Sequence, residues 1–145
     1  MYRLAAEQGK WGDAVTRLEH ALQLRSDDPE LWIQMGRCYR KAGRSEDADK
    51  TFAKAGERFP EQQARFLWLR GRLAIRRKDW SHAFEFLNRS FRIAPGSWRI
   101  HEDMAQACLG LQNWDMAEEH IQKAAELAPR DQRDSILRLL SRIPS

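Results

Sequence analysis

Four alanines, Ala14, Ala48, Ala83 and Ala117, recur at intervals of 34, 35 and 34 residues, each within the same run of keyed positions. Trp11, Ala14, Leu18, Ala21 and Ser26 form the first set, and Ala48, Phe52, Ala55 and Pro60 the second. Trp80, Ala83, Leu87, Ser90 and Pro95 form the third, and Trp114, Ala117, Ile121, Ala124 and Pro129 the fourth. Spacings of three and four residues mark one face of a helix. The small residues let a second helix approach closely, and proline, replaced by Ser26 in the first set, ends the other three helices because it cannot donate to the preceding turn. A period of this length describes a unit that cannot bury its apolar face alone and must stack on its neighbours. A chain of 145 residues holds three to four such units.

A second signature precedes the second set. Trp32, Met35, Gly36 and Tyr39 follow the spacing W-x2-L-G-x2-Y, with Met in place of Leu. Together with Ala48, Phe52, Ala55 and Pro60, this resembles the tetratricopeptide repeat, a helix–turn–helix unit of about 34 residues. The resemblance implies an all-α fold, a right-handed superhelical solenoid of antiparallel helix pairs. It covers nearly the whole chain, read as a single domain 1–145. Residues 1–28 form a partial repeat, 29–63, 64–97 and 98–131 full repeats, and 132–145 a capping helix. Gly71 fills the small position of the third unit, where Arg70 stands in place of Leu. The fourth unit carries His101, Met104, Ala105 and Cys108 at the keyed sites. Ile136, Leu139, Leu140 and Ile143 fall on one side of the closing helix, suited to covering the apolar end of the last pair.

Composition narrows the class. Apolar residues make up 42% and charged residues 32%, as in a folded chain rather than a disordered one. No run approaches the roughly 18 apolar residues of a membrane span. Residues 1–8 lack the apolar stretch of a signal peptide. The expectation is a cytoplasmic chain, or a periplasmic one if it derives from a longer exported protein. Cys38 and Cys108, 70 residues apart in apolar helical stretches, read as small buried hydrophobes. The 19 Arg against 6 Lys point to a GC-rich bacterial genome.

Nothing in the sequence points to catalysis. It lacks H-E-x-x-H, a P-loop, G-x-G-x-x-G and G-x-S-x-G. His101, Glu102 and Asp103 are adjacent, and adjacent helical side chains diverge by about 100°. The expectation is therefore no enzyme, no cofactor and no metal.

Charge is distributed unevenly. Residues 64–97 carry eight Lys/Arg against two acids, whereas 98–131 carry three against seven. The family resemblance implies that first helices line a concave groove through Glu30, Ile33, Arg37, Arg40 and Lys41 of the second unit. It implies Arg65, Trp68, Arg72, Ile75 and Arg76 in the third, and Arg99, Glu102, Gln106, Leu109 and Gly110 in the fourth. Helical spacing alone puts Arg65, Trp68, Arg72 and Arg76 on one face. Arginine suits bidentate carboxylate contacts and tryptophan is over-represented in binding hot spots. The leading expectation is a scaffold or adaptor that binds an acidic segment of a partner protein through Arg37, Arg40, Lys41, Arg65, Trp68, Arg72, Arg76 and Arg99. A register shifted by one residue would instead put Trp68 in the core. The family's chaperone-tail clamp needs Lys, Asn and Arg where this chain has Ile33, Arg37, Leu69, Arg99 and Asp103, and only Arg99 agrees in type. Two other readings stand beside the leading one. One is an assembly module of an envelope, secretion or polysaccharide-export complex acting through self-association or an end surface. The other is RNA binding, against which the acidic fourth unit argues.

Overall fold

The computed structural model describes residues 10–25 and 27–145. The incomplete first helix of the first repeat and its stop at Ser26 lie outside the described residues. Two compact units divide the chain after Phe66. The first contains α1 (Trp11–Leu24), α2 (Pro29–Lys41), α3 (Ser45–Arg58), a 3-10 turn (Pro60–Gln62) and the start of α4 (Gln63–Arg76). The second contains the rest of α4, α5 (Trp80–Ile93), α6 (Trp98–Gly110), α7 (Trp114–Leu127), α8 (Arg130–Leu137) and a 3-10 turn (Arg138–Arg142). No strand occurs among the described residues. No helix among them is long and apolar enough to cross a membrane.

Helix boundaries follow from local chemistry. Asp28 caps α2 by accepting from the Glu30 backbone N–H at 3.0 Å, and Pro29 occupies the first turn, where a missing N–H costs nothing. Arg40 and Lys41 complement the helix dipole at its other end. Each proline stop acts one residue early. Helices α3, α5 and α7 end at Arg58, Ile93 and Leu127, because the residue before proline is forced out of the helical region. Phe59, Ala94 and Ala128 accordingly take non-helical backbone angles.

The turn joining the helices of a pair has a left-handed residue in each of the three repeats where it is described. Gly43 supplies it at φ 80°, while Lys78 and Gln112 take φ 59° and 61° despite their side chains.

The alanine anchors Ala14, Ala48, Ala83 and Ala117 are all 0% exposed, as close helix approach requires. In the first unit Ala14, Val15, Leu18, Met35 and Cys38 form a core with Trp11, Leu22, Leu31 and Tyr39 packed on it. A side chain at Gly36 would overlap the Phe52 ring. Phe66 stacks on Phe59 with centroids 6.5 Å apart and meets Phe52 in a tilted contact at 6.4 Å, and Trp32 meets Phe59 edge-on at 6.4 Å. Tyr39 donates its hydroxyl to Glu19 Oε1 at 2.9 Å, and burial with that carboxylate pushes its pKa up to about 12.

In the second unit Leu87, Ile100 and Met104 form a core with Trp68, Ile75, Phe84 and Phe91. Ala74, Ala83 and Ala107 supply the small contacts between helices. The closing segment is a short α-helix continued by a 3-10 turn, packed on the α7 side of this unit. Ile136 is fully buried against Ile121, Ala124 and Ala128, with Leu139, Leu140 and Ile143 packed beside it. Both cysteines are buried and free, and burial pushes the Cys108 thiol up to about 11.

Candidate partner-binding site

The first unit carries four of the eight candidate residues. Arg37 and Lys41 are exposed on α2, Arg40 is half-buried there, and Arg65 is exposed near the start of α4. Lys41 lies over the Trp11 ring, its Nζ 4.6 Å from the centroid. Arg65 Nη1 donates to Glu30 Oε1 at 2.9 Å. A pair this exposed adds well under about 1 kcal/mol to stability and can open to a ligand. Ile33, which the inherited register puts on the same face, is 1% exposed and belongs to the interior.

The second unit holds Trp68, Arg72, Arg76 and Arg99, and here Trp68, Arg72 and Arg99 all act on Asp103. Trp68 is half-buried, packed on the Leu87–Ile100–Met104 core. Its Nε1 donates to Asp103 Oδ2 at 2.8 Å, so the indole is fixed by a carboxylate of α6 rather than held open. The Arg72 guanidinium lies 5.0 Å from the Trp68 ring, and the Arg99 guanidinium 4.8 Å from the Trp98 ring. Stacking of this kind leaves the edges of a guanidinium available for bidentate contacts. Arg76 is exposed one turn beyond Arg72 on α4. Leu109, assigned to the same face of α6, is buried.

Asp103 is the residue that sequence reasoning missed. It is only 7% exposed. Burial raises its pKa to about 6 from an ordinary 3.8, while the Trp68 hydrogen bond and the charges of Arg72 and Arg99 pull the other way and Glu102 adds to the rise. A signal was available in the repeat. Trp68 and Asp103 are 35 residues apart, as are Glu30 and Arg65, so residues one period apart meet on successive first helices.

The structure also joins two histidines that look scattered in the sequence. His101 Nδ1 lies 3.1 Å from His120 Nδ1, with Phe91 edge-on to the His101 ring and Phe84 near His120. One imidazole must donate and the other accept, so the pair is satisfied only when neutral or singly protonated. Burial lowers both pKa values, with His120 and Lys123 adding to the effect on His101. A histidine whose pKa is lowered on folding stabilises fully above its unfolded value, near 6.5, and loses that contribution as pH falls below it. Between pH 7 and 5, His101→Phe combined with His120→Leu should therefore lose less stability than the wild type in urea melts. Among the described residues no three His, Cys, Asp or Glu side chains gather as a metal site.

Comparison with known proteins supplies the context. Residues 5–73 match the tetratricopeptide repeat family. No functionally curated protein matches the chain in sequence. Among solved structures, MamA from Desulfovibrio magneticus RS-1 is similar at TM-score 0.74 and 19% identity, over 98% of this chain and 88% of that one. A putative kinesin light chain with nearly identical TPR-like repeats from Podosopora anserina gives 0.76 at 13% identity, over 98% and 81%. A tetratricopeptide repeat protein from Parabacteroides merdae gives 0.76 at 18% identity, over 97% and 57%. At these identities the likeness is one of fold.

Proposed function

We propose that the chain, whose residues 5–73 match the tetratricopeptide repeat family and whose fold is that of solved repeat proteins, is a non-catalytic interaction scaffold that binds an acidic segment of a partner protein. The fold supports protein binding at the coarse level, since stacked helix pairs leave continuous side-chain surfaces for recognition. The finer reading rests on one observation. Arg72 and Arg99 are each stacked on an indole in the second unit, and both act on the same buried carboxylate, with Arg76 exposed beside them. Guanidiniums held this way lose little freedom on binding, and their forks match carboxylates. The first unit offers a second basic set in Arg37, Arg40, Lys41 and Arg65.

Charge reversal is the direct test. Arg72→Glu with Arg76→Glu should weaken binding of a rhodamine-labelled deca-aspartate peptide by about tenfold or more in fluorescence anisotropy. Unchanged affinity in a variant with wild-type circular dichroism would remove this surface from the reading. A mixed single-stranded RNA gel shift at about 150 mM salt separates the nucleic-acid alternative, because non-specific phosphate contacts fade there.

A further inference from the structure

The acidic residue inside this basic site calls for its own account. Asp103 sits on α6 with one oxygen 2.8 Å from Trp68 Nε1, under an indole whose ring carries the Arg72 guanidinium. A carboxylate in the field of two arginines does electrostatically what the carboxylate of an acidic partner would do. We propose that Asp103 is an internal competitor for the acidic partner. The second unit binds an acidic segment more tightly when Asp103 is neutral than when it is ionised. The inference rests on the acidic-segment reading and names how that site is regulated.

The charges acting on Asp103 define the switch. Arg72 comes from α4, and Arg99 and Glu102 from its own helix. With Asp103 and Glu102 both ionised, the two carboxylates offset the field of Arg72 and Arg99, and the site attracts an anion less strongly. With Asp103 neutral the guanidiniums outnumber the acids by one. On the α5 side the packing is the apolar cluster of Leu87, Phe84 and Phe91. Towards α7, the titrating pair His101–His120 and Lys123 act on one another from a different side of α6, since positions 101 and 103 differ by about 200° around the helix. Burial brings the Asp103 titration close to neutral pH, where an exposed aspartate would stay ionised. A change in pH, or a partner that itself favours the neutral form, can therefore work the switch. By linkage, an acidic ligand bound beside Asp103 must raise its pKa further.

The test compares wild type with Asp103→Asn, in which an amide oxygen can still accept from Trp68. The probe is the rhodamine-labelled deca-aspartate peptide, which keeps its charge above pH 5. At pH 7.5 the variant should bind about tenfold more tightly, as expected for removing one like charge near a hydrated site. At pH 5.5 the two proteins should converge, which separates Asp103 from the histidines common to both. Equal affinities at both pH values would overturn the proposal. If the variant does not fold, the carboxyl carbon resonance of Asp103 in the wild type provides the same decision. Its pKa should rise on adding the probe, and an unmoved pKa in the presence of bound peptide would overturn the competitor role. Peptide that binds wild type and the Arg72→Glu, Arg76→Glu variant equally would instead sink the underlying acidic-segment reading.

Discussion

Gly71→Val is expected to be strongly disruptive to the second unit, lowering stability by about 3 kcal/mol or more. A Cβ at Gly71 would lie 2.6 Å from Leu87 Cδ2, 2.7 Å from Leu87 Cγ and 3.5 Å from the Ala83 carbonyl oxygen. Leu87 cannot retreat, because it is 0% exposed and packed with Ile100 and Met104. The α4 backbone must then move away from α5, which disturbs the Trp68 side of the core. Two controls isolate the mechanism. Gly12→Val introduces the same atoms where nothing lies within 4 Å and should change stability by less than about 1 kcal/mol. Leu87→Ala opens the space that valine needs, so the double variant should be less destabilised than the two single costs added together. Additive costs in urea unfolding would show that the clash with Leu87 is not the cause.

That result would explain why so much of the fold was legible. The positions that specify a stacked helix pair are those where volume is strictly limited, and such limits recur with the repeat. Ala14, Ala48, Ala83 and Ala117 keep a nearly constant spacing because each lies at the equivalent helix contact, and each is fully buried. Gly36 and Gly71 are small because Phe52 and Leu87 occupy the space beside them. The prolines mark helix ends through a local steric rule, which puts the stop one residue ahead of the ring. The turn at Lys78 and Gln112 was not legible for the opposite reason. Among the described turns within helix pairs only Gly43 announces its left-handed backbone, and at the other two the helices on either side impose that conformation on residues with no preference for it.

Legibility of the site was partial in the same physical sense. The spacing rule that groups Arg65, Trp68, Arg72 and Arg76 needs only one helix. It says nothing of what faces them across the helix pair. Asp103 draws notice in the sequence only beside His101 and Glu102 and as a clamp position, yet it is buried and accepts from the Trp68 N–H. Nor does spacing pair His101 with His120, because their contact depends on the crossing of α6 and α7. Ile33 and Leu109 mark the limit of the inherited register, since both are taken up by packing.

Asp103→Asn should raise stability at pH 7.5 by about 1–3 kcal/mol and give no such gain at pH 4. The sign follows from the direction of the shift. An acid whose pKa is raised on folding, here from 3.8 to about 6, contributes stability that is complete below 3.8 and lost as pH rises through 6. At pH 7.5 the wild type therefore carries an ionised carboxylate in a site that disfavours it, even with the Trp68 hydrogen bond and two arginines in its favour. Asparagine keeps an acceptor for Trp68 and removes the charge. Comparing both proteins at the same pH cancels the histidine contribution, because His101 and His120 titrate in each. A loss of stability at pH 7.5 would mean that Arg72 and Arg99 outweigh burial, and that Asp103 is an ordinary structural ion. A gain would mean that the chain holds an unfavourable charge on the face where its guanidiniums are best arranged for a ligand. Residues that cost stability in that way are characteristic of sites kept for binding rather than for folding.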